Sequence, residues 1–295
     1  MRLVSYRSDD AWRSGAVLGE VVYDIDAALI GSGMPGLAPR ATTRQLLRTY
    51  GHMLGDVAAA VRHAAAELPS AQAGSVADLQ LGAPVGDPGK VLCIGLNYND
   101  HVAETGRALP AHPDVFAKFA STLIGPHDEI RCTQVTDNLD FEGELAVVIG
   151  RAGRDVAPDA ALDLVAGVMV LNDITARDLQ YHGTQWLAGK AVDGSTPCGP
   201  ALVTLDEVGD PQNLELATRV NGVQVQSSNT KHMIFSIAGL ISYISRFLTL
   251  SPGDIISTGT PEGIGSKRNP PLWLRPGDTV EVEIERVGTL RNVVR

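Results

Sequence analysis

The fold is decided by the stretch from Leu139 to Gly150, which reads LDFEGELAVVIG. Its apolar run, Leu145 to Ile149, is typical of a buried strand, and Glu142 and Glu144 lie two residues apart at its start. Side chains at positions i and i+2 of a strand point to the same face. We therefore expect both carboxylates to project together from an element that is too apolar to be a solvated surface.

A third carboxylate, Asp173, follows a second apolar run, Val165 to Asn172. Like charges held close together need a cation, and a set of ligands that are all oxygens favours Mg²⁺, Mn²⁺ or Ca²⁺ over zinc. Three protein ligands leave about three octahedral positions for water and substrate, as in a catalytic metal site. The alternative is an edge strand on which Glu142 and Glu144 face water.

Composition narrows the class of protein. The chain has 295 residues and a formal net charge of −10, which argues against nucleic acid or an anionic membrane as the main partner. Three scattered cysteines predict a reduced compartment and no cysteine-based zinc site. Met1 to Arg7 lacks the apolar core of a signal peptide, and the polar residues within Met233 to Leu250 indicate a core-facing helix rather than a membrane span. We expect a cytoplasmic protein.

The chain divides into a small N-terminal domain, residues 1–86, and a larger domain, residues 87–295. The Gly- and Pro-rich stretch from Gly82 to Gly89 marks the boundary. Thr43 to Leu68 has a helical pattern, with Thr42 or Thr43 as its cap. The fold class is α+β and β-rich, with the larger domain a mixed β-roll or barrel under a few covering helices. The predicted strands of that domain are Val91–Gly95, Glu144–Ile149, Val165–Leu171, Ala201–Thr204, Ala217–Val220, Val223–Gln226, Asp254–Ser257 and Thr279–Glu285.

Two pairs of polar residues have helical spacing. His101 and Glu104 are three residues apart, and a carboxylate that orients a histidine can make it a base. A surface ion pair is the alternative. Arg177 and Gln180, also three apart, could clamp a carboxylate, since arginine offers a bidentate fork; an ordinary polar helix turn is the alternative.

Two further segments could contact a substrate. Lys190 lies among apolar and small residues and needs a partner such as an enolate, a carboxylate or the three acidic residues, unless it reaches out to solvent. The Gly-rich segment from Ser257 to Lys267 could offer Thr260 and backbone amides to an anion. It lacks the Gly-Lys-Ser/Thr order, so it is not a Walker A loop. Gly106 to Pro113, Tyr181 and Trp186 are expected to shape the rest of the pocket.

Five motifs between about Lys90 and Val282 occur in the same order as in the fumarylacetoacetate hydrolase superfamily, which this part of the chain resembles. The similarity is greatest to bacterial members and to the acylpyruvase-like branch, which includes acylpyruvate and fumarylpyruvate hydrolases, oxaloacetate decarboxylases and 2-hydroxyhepta-2,4-diene-1,7-dioate isomerases. The motifs are Val91–Glu104, Asp140–Gly150, Asn172–Gln180, Ala188–Lys190 and Ser257–Gly263.

The resemblance implies a homodimer, a Mg²⁺ or Mn²⁺ ion and a role in aromatic catabolism. It assigns Glu142, Glu144 and Asp173 as metal ligands, His101 and Glu104 as the catalytic pair, and Lys190 as the active-site lysine. Its substrate contacts are Arg177, Gln180, Thr260 and Lys118.

This chain departs from the family pattern at three places. Phe119-Ala120 replaces the proline-containing sequence that follows Lys118 in relatives. Cys93 to Leu96 lacks the additional Asp ligand of the namesake hydrolase, which favours the three-ligand branch. Leu96 stands where relatives often carry Arg, which removes one contact to a substrate carboxylate.

The expected function is a Mg²⁺- or Mn²⁺-dependent hydrolase that cleaves a C–C bond in a 2,4-dioxo acid through a metal-bound pyruvate enolate. In this hypothesis His101, oriented by Glu104, activates the water. An oxaloacetate decarboxylase, or an isomerase or tautomerase of dienol diacids, would use the same enolate. A non-catalytic module that binds a metal or a small acid is the alternative from another class, and it would not need His101, Glu104 and Lys190 together.

Overall fold

A computed structural model describes residues 1–38 and 40–295. It contains 33% strand and 26% helix, so the fold is strand-rich α+β, as predicted. The helices are α1 (Ile25–Gly31), α2 (Thr43–Tyr50), α3 (Leu54–Glu67), α4 (Asn99–Thr105), α5 (Arg177–Gln180), α6 (Leu187–Lys190), α7 (Leu205–Val208) and α8 (Ile237–Ser245). Short 3₁₀ helices span Pro69–Ala71, Ala120–Thr122, Pro158–Leu164, Thr230–His232 and Gly265–Lys267.

Strands make up three sheets among the described residues. They are β1 (Arg2–Ser8), β2 (Ala11–Leu18), β3 (Val21–Asp24), β4 (Gln72–Ser75), β5 (Leu81–Gly82), β6 (Val91–Gly95), β7 (Asp114–Lys118), β8 (Leu123–Ile124), β9 (Leu139–Asp140), β10 (Gly143–Ile149), β11 (Val165–Asn172), β12 (Thr175–Ala176), β13 (Thr196–Val203), β14 (Glu215–Val220), β15 (Val223–Asn229), β16 (Ile255–Ser257), β17 (Thr279–Ile284) and β18 (Gly288–Val293).

The largest sheet runs in the order β4-β3-β2-β1-β13-β11-β10-β16-β6-β7, with β5 beside β1 and β8 beside β13. It is mixed: β16 is parallel to β6 and β8 to β13, while β10 and β11 are antiparallel. A second sheet has the antiparallel order β15-β14-β17-β18, and β9 and β12 form a small third one. The N-terminal strand β1 pairs with β13, so residues 1–86 and 87–295 share the largest sheet.

Strand β10 is buried on both faces, which explains its continuous apolar run. Leu145 and Val147 lie in a core with β14, β17 and α8, whereas Ala146 and Val148 lie in a second core with α2 and α3. The first core joins the large sheet to the four-stranded sheet. The start of β10 is therefore enclosed from two sides, and this is where the acidic residues lie.

The predicted strands are all present, and their bounds differ by a few residues. The largest difference is in β13, which begins at Thr196 rather than Ala201. The helical segment after Thr42 is two helices, because α2 ends at Tyr50 and α3 begins at Leu54; Thr42 is the cap and its Oγ1 accepts from Gln45 N. Several strands were not predicted: β1, β4, β5, β7, β8, β12 and β18.

Helix α8 is core-facing, as predicted, and covers only part of the apolar run from Met233 to Leu250. Its residues Ile237, Leu240, Ile241 and Ile244 are buried. No helix in residues 1–38 and 40–295 is long and apolar enough to cross a membrane.

Candidate active site

Three acidic side chains converge where β10 and β11 lie side by side. Ligand oxygens of Glu142, Glu144 and Asp173 all lie within 4.8 Å of one another, and all three residues are buried. Glu142 immediately precedes β10 and Asp173 immediately follows β11; the backbone N–H of Asp173 donates to the carbonyl of Glu142 at 2.8 Å. The antiparallel register therefore produces the cluster that the sequence predicts, and the alternative of a solvated edge strand is excluded.

Two buried lysines contact this cluster. The Lys190 Nζ donates to Glu142 Oε2 at 2.7 Å and to Asp173 Oδ2 at 2.8 Å, and the Lys118 Nζ donates to Asp173 Oδ1 at 2.5 Å. Lys190 thus has the carboxylate partners that its apolar surroundings demand. The resemblance assigns Lys118 to substrate contact. In the structure its side chain is buried, forms an ion pair with Asp173 and does not line the cavity described below.

A buried guanidinium joins the cluster to a fourth carboxylate. Arg177 donates from Nη2 to Glu142 Oε1 at 2.6 Å, from Nε to Asp140 Oδ2 at 2.8 Å and from Nη1 to Gln180 Oε1 at 3.0 Å. Burial lowers the pKa of Arg177, but Asp140 and Glu142 raise it by more. Sequence reasoning missed Asp140; its signal was an Asp inside the apolar sequence Leu139-Asp140-Phe141.

Glu142 stays ionised despite its burial. Burial raises the pKa of its carboxyl. The charges of Lys190, Arg177 and then His101 outweigh this effect and lower the pKa to about 2. Burial lowers the pKa of Lys190, but the carboxylates of Asp173 and Glu142 raise it by more. The ion pairs of Glu142 are therefore charged at neutral pH.

Glu144 is in the opposite situation. Burial, then the charges of Asp173 and Glu142, raise its pKa to about 8. It accepts hydrogen bonds from Ser257 Oγ at 2.5 Å and Gly259 N at 2.8 Å, and it has no cationic side chain as a partner among the described residues. An added dication would remove the repulsion that raises this pKa, so the donor set fits a divalent metal ion.

Gly259 makes the contact to Glu144 possible. Its φ is +96°, and a Cβ would lie 2.9 Å from Asn97 Cβ and 3.0 Å from Ile94 O. A side chain there would meet both strain and collision. The amides of the Gly-rich loop do bind anions, as the sequence suggests, but here these anions are the protein's own carboxylates.

His101 and Glu104 lie on one face of α4, as predicted. His101 Nδ1 is 3.1 Å from Glu104 Oε2, and both side chains are largely buried, which argues against a surface ion pair. The other carboxylate oxygen, Oε1, accepts from Gly263 N at 2.9 Å. Because Glu104 accepts at Nδ1, the second ring nitrogen of neutral His101 is the acceptor.

A cavity of about 320 Å³ lies beside these groups, and Glu144, Asp173, Lys118 and Glu104 are not among the residues that line it. It brings together five of the residues predicted for catalysis or substrate contact, together with the metal-ligand candidate Glu142: His101, Arg177, Gln180, Lys190 and Thr260. Tyr181, Trp186 and Arg107, from the segments expected to shape the pocket, also line it. Ser266 and Lys267 were not predicted, although they end the Gly-rich segment.

Thr260 is fixed by the neighbouring sheet. Its Oγ1 donates to Gly143 O at 3.0 Å and accepts from Gln226 Nε2 at 2.8 Å, while Gln226 Oε1 accepts from Gly143 N at 3.0 Å. Gln226 lies on β15 and was missed as a site residue because a strand glutamine carries no signal of its own. It ties the start of β10 to the loop that contains Thr260.

The fumarylacetoacetate hydrolase C-terminal family model matches residues 90–295. The chain belongs to the fumarylacetoacetate hydrolase family. It is 47% identical over 235 residues, 79% of this chain and 74% of the other, to human mitochondrial oxaloacetate tautomerase FAHD2A. It is 45% identical over 236 residues, 77% of this chain and 83% of the other, to 2,4-didehydro-3-deoxy-L-rhamnonate hydrolase of Sphingomonas sp. strain SKA58.

A solved relative supports the same fold. The maleylpyruvate hydrolase from Sphingobium sp. SYK-6, in complex with manganese(II) and pyruvate, matches with a TM-score of 0.79 and 30% identity, covering 100% of this chain and 98% of that one. The predicted family and fold class are therefore confirmed, and the protein is an enzyme of the fumarylacetoacetate hydrolase family. Relatives in this family include both a tautomerase and hydrolases.

Proposed function

We propose that the protein is a divalent-metal-dependent hydrolase that cleaves the C–C bond of a 2,4-dioxo acid and releases pyruvate. The observation that carries this proposal is a histidine, His101, that is oriented by Glu104 and lines the same cavity as Glu142, a member of the cluster of Glu142, Glu144 and Asp173. A hydrolase needs a base for water beside a site that stabilises the enolate, and His101 and the carboxylate cluster are the candidates for these two roles.

The three carboxylates would hold Mg²⁺ or Mn²⁺, and the manganese in the maleylpyruvate hydrolase supports this choice. When bound, such an ion supplies Lewis-acid stabilisation for the oxygen of a developing enolate. Lys190 and Arg177 keep Glu142 ionised and offset the negative charge of the cluster, which favours an anionic substrate.

His101 acts as the general base in this proposal. Its free ring nitrogen removes a proton from water, and the water oxygen attacks the C4 carbonyl carbon of the substrate. The C3–C4 bond then breaks, its electron pair forms the enolate of pyruvate, and C3 takes up a proton from the imidazolium. The products are pyruvate and the carboxylic acid formed from C4, and base catalysis of this kind contributes about 10²–10⁴-fold.

A second candidate function is tautomerisation of oxaloacetate, which the human relative favours at 47% identity. The same base would move a proton between C3 and the enol oxygen without attack by water. Decarboxylation of oxaloacetate and isomerisation of dienol diacids share the enolate and remain further alternatives. A non-catalytic module has no need of the oriented His101.

The test is a substrate panel with Mg²⁺ and with Mn²⁺: 2,4-dioxo acids, enol-oxaloacetate and a dienol diacid, followed by ultraviolet absorbance and by coupled detection of pyruvate. We expect stoichiometric pyruvate and carboxylic acid from a 2,4-dioxo acid. Rapid ketonisation of oxaloacetate without cleavage of any 2,4-dioxo acid would overturn the hydrolase in favour of the tautomerase.

A homodimer is part of the proposal. Phe119, Tyr181 and Leu187 expose 53%, 59% and 40% of their surface beside the cavity mouth, and exposed apolar groups close together favour association. Light scattering should give twice the chain mass. Cytoplasmic location stays a prediction, since the human relative is named as mitochondrial.

A further inference from the structure

The buried end of the cavity, which Glu142, Arg177 and Lys190 line, has each of its cations paired with a carboxylate. Arg177 and Lys190, the cations there, donate to Asp140, Glu142 and Asp173 at 2.6–2.8 Å. These groups hold the carboxylate cluster and leave no cation at the buried end without an acidic partner among the described residues.

The outer end is different. Arg107, two residues beyond the end of α4, and Lys267, the last residue of the Gly-rich segment, line the same cavity. Neither forms an ion pair within the described residues, and both are exposed. The hydroxyl-bearing residues Thr105, Tyr181 and Ser266 line this cavity as well. Two cations without acidic partners, in a cavity that hydroxyl groups also line, suit an anionic group better than a neutral one.

Arg107 is held in place by an aromatic ring. Its guanidinium carbon lies 5.6 Å from the centroid of the Trp186 ring, within range of a cation–π contact. The Trp186 ring itself is fixed: it meets Phe116 edge-on at 5.5 Å, and it fills the space where a Cβ on Gly95 would lie, 2.4 Å from that position. The arginine therefore rests on a packed support rather than extending freely into solvent.

The chain has a net negative charge, so two cations that are unpaired among the described residues, Arg107 and Lys267, at one cavity are unusual for its surface. There are 34 acidic residues and 24 Lys and Arg residues, so a random surface patch is more often negative than positive. A local excess of positive charge at a cavity mouth attracts anionic ligands and orients them as they enter.

We propose that Arg107, supported by Lys267, binds a carboxylate at the far end of the substrate, so that the preferred substrates are 2,4-dioxo acids whose tail ends in an anionic group. The inference rests on the proposed function, because it takes the 2-oxo acid end to lie at the cluster of Glu142, Glu144 and Asp173. Arg107 is then a specificity-determining residue: it selects diacids over substrates with a neutral tail.

The kinetic test compares two substrates of equal chain length, 2,4-dioxoheptanedioate and 2,4-dioxoheptanoate, with Mg²⁺. We expect Arg107→Gln to lower the ratio of their kcat/KM values by about tenfold, chiefly through KM, as for a charge-assisted hydrogen bond at a partly exposed site. Lys267→Gln should lower the ratio by a smaller factor. The matched control is Arg62→Gln on α3, which removes the same charge from an exposed position outside the cavity.

An equal fall in both kcat/KM values for Arg107→Gln, or the same change in the ratio for Arg62→Gln, would overturn the proposal. A binding measurement separates it from the proposed function. Calorimetry on the Mn²⁺-loaded protein should show tighter binding of 2-oxoadipate than of 2-oxohexanoate, and Arg107→Gln should remove that preference even if no 2,4-dioxo acid is cleaved. No preference in the wild-type protein would overturn the subsite whatever the reaction proves to be.

Discussion

Glu104 accepts a hydrogen bond of 2.9 Å from the backbone N–H of Gly263. This bond joins helix α4 to the Gly-rich loop, and it occupies the carboxylate oxygen that does not contact His101. The orientation of the base is therefore set by a loop that also donates to Glu144 through Gly259. The proposed base and the proposed metal ligands are coupled through one short segment of chain.

Replacing Glu104 by Gln keeps the shape of the side chain and removes its charge. We expect kcat for the 2,4-dioxo acid to fall by about tenfold or more, because an amide can present its NH₂ to His101 and favour the wrong tautomer. Steady-state kinetics at saturating Mg²⁺ measure this. A kcat within twofold of wild type would show that the pair does not position a base.

Replacing His101 by Ala removes the base while leaving the carboxylate cluster intact. Hydrolysis should fall by about 10²–10⁴-fold, and decarboxylation of oxaloacetate should fall much less because it requires no attack by water. Mn²⁺ affinity should be close to that of wild type, which serves as the control for folding of the site. Equal losses with both substrates would count against activation of water by His101.

Lys190 is buried between Glu142 and Asp173, and its loss would remove one of the two cationic partners of each carboxylate. We expect Lys190→Met to destabilise the metal-free protein by about 3–5 kcal/mol, as for breaking a buried ion pair. Urea denaturation measures the change, and Lys231→Met, at an exposed lysine, is the matched control. If the two variants lose similar stability, the buried contacts of Lys190 contribute little.

The raised pKa of Glu144 predicts a pH dependence of stability. The folded metal-free protein binds this proton up to about pH 8, whereas the unfolded carboxyl releases it near 4.5. This contribution to stability is full below 4.5 and is lost as the pH rises from there through 8. Urea unfolding in EDTA should show this fall, and Glu144→Gln should flatten it. The assignment would be contradicted if the free energy of unfolding of the wild type rose with pH over this range and Glu144→Gln showed the same profile.

The sequence was sufficient for the parts of the site that follow from strand periodicity. The i, i+2 spacing of Glu142 and Glu144 and the apolar run before Asp173 give the acidic cluster, and the three-residue spacing of His101 and Glu104 gives their contact on α4. Each of these contacts depends on one element or on two neighbouring strands.

The sequence was insufficient where distant segments meet. Asp140 accepts a hydrogen bond from Arg177, 37 positions further along the chain, and Gln226 reaches Thr260 from the second sheet. Arg107, which follows α4, lies over Trp186, which precedes α6, because the two segments line the same cavity. Such contacts are set by sheet packing and loop geometry, which no local pattern encodes.

The measurement that tests the central claim most directly is a titration of EDTA-stripped protein with Mn²⁺, following bound metal and pyruvate release from a 2,4-dioxo acid in the same samples. For the wild type, binding of one ion per chain and the appearance of activity should follow the same curve. Folded Glu144→Ala should show neither. Full pyruvate release in EDTA, or in Glu144→Ala, would contradict the account.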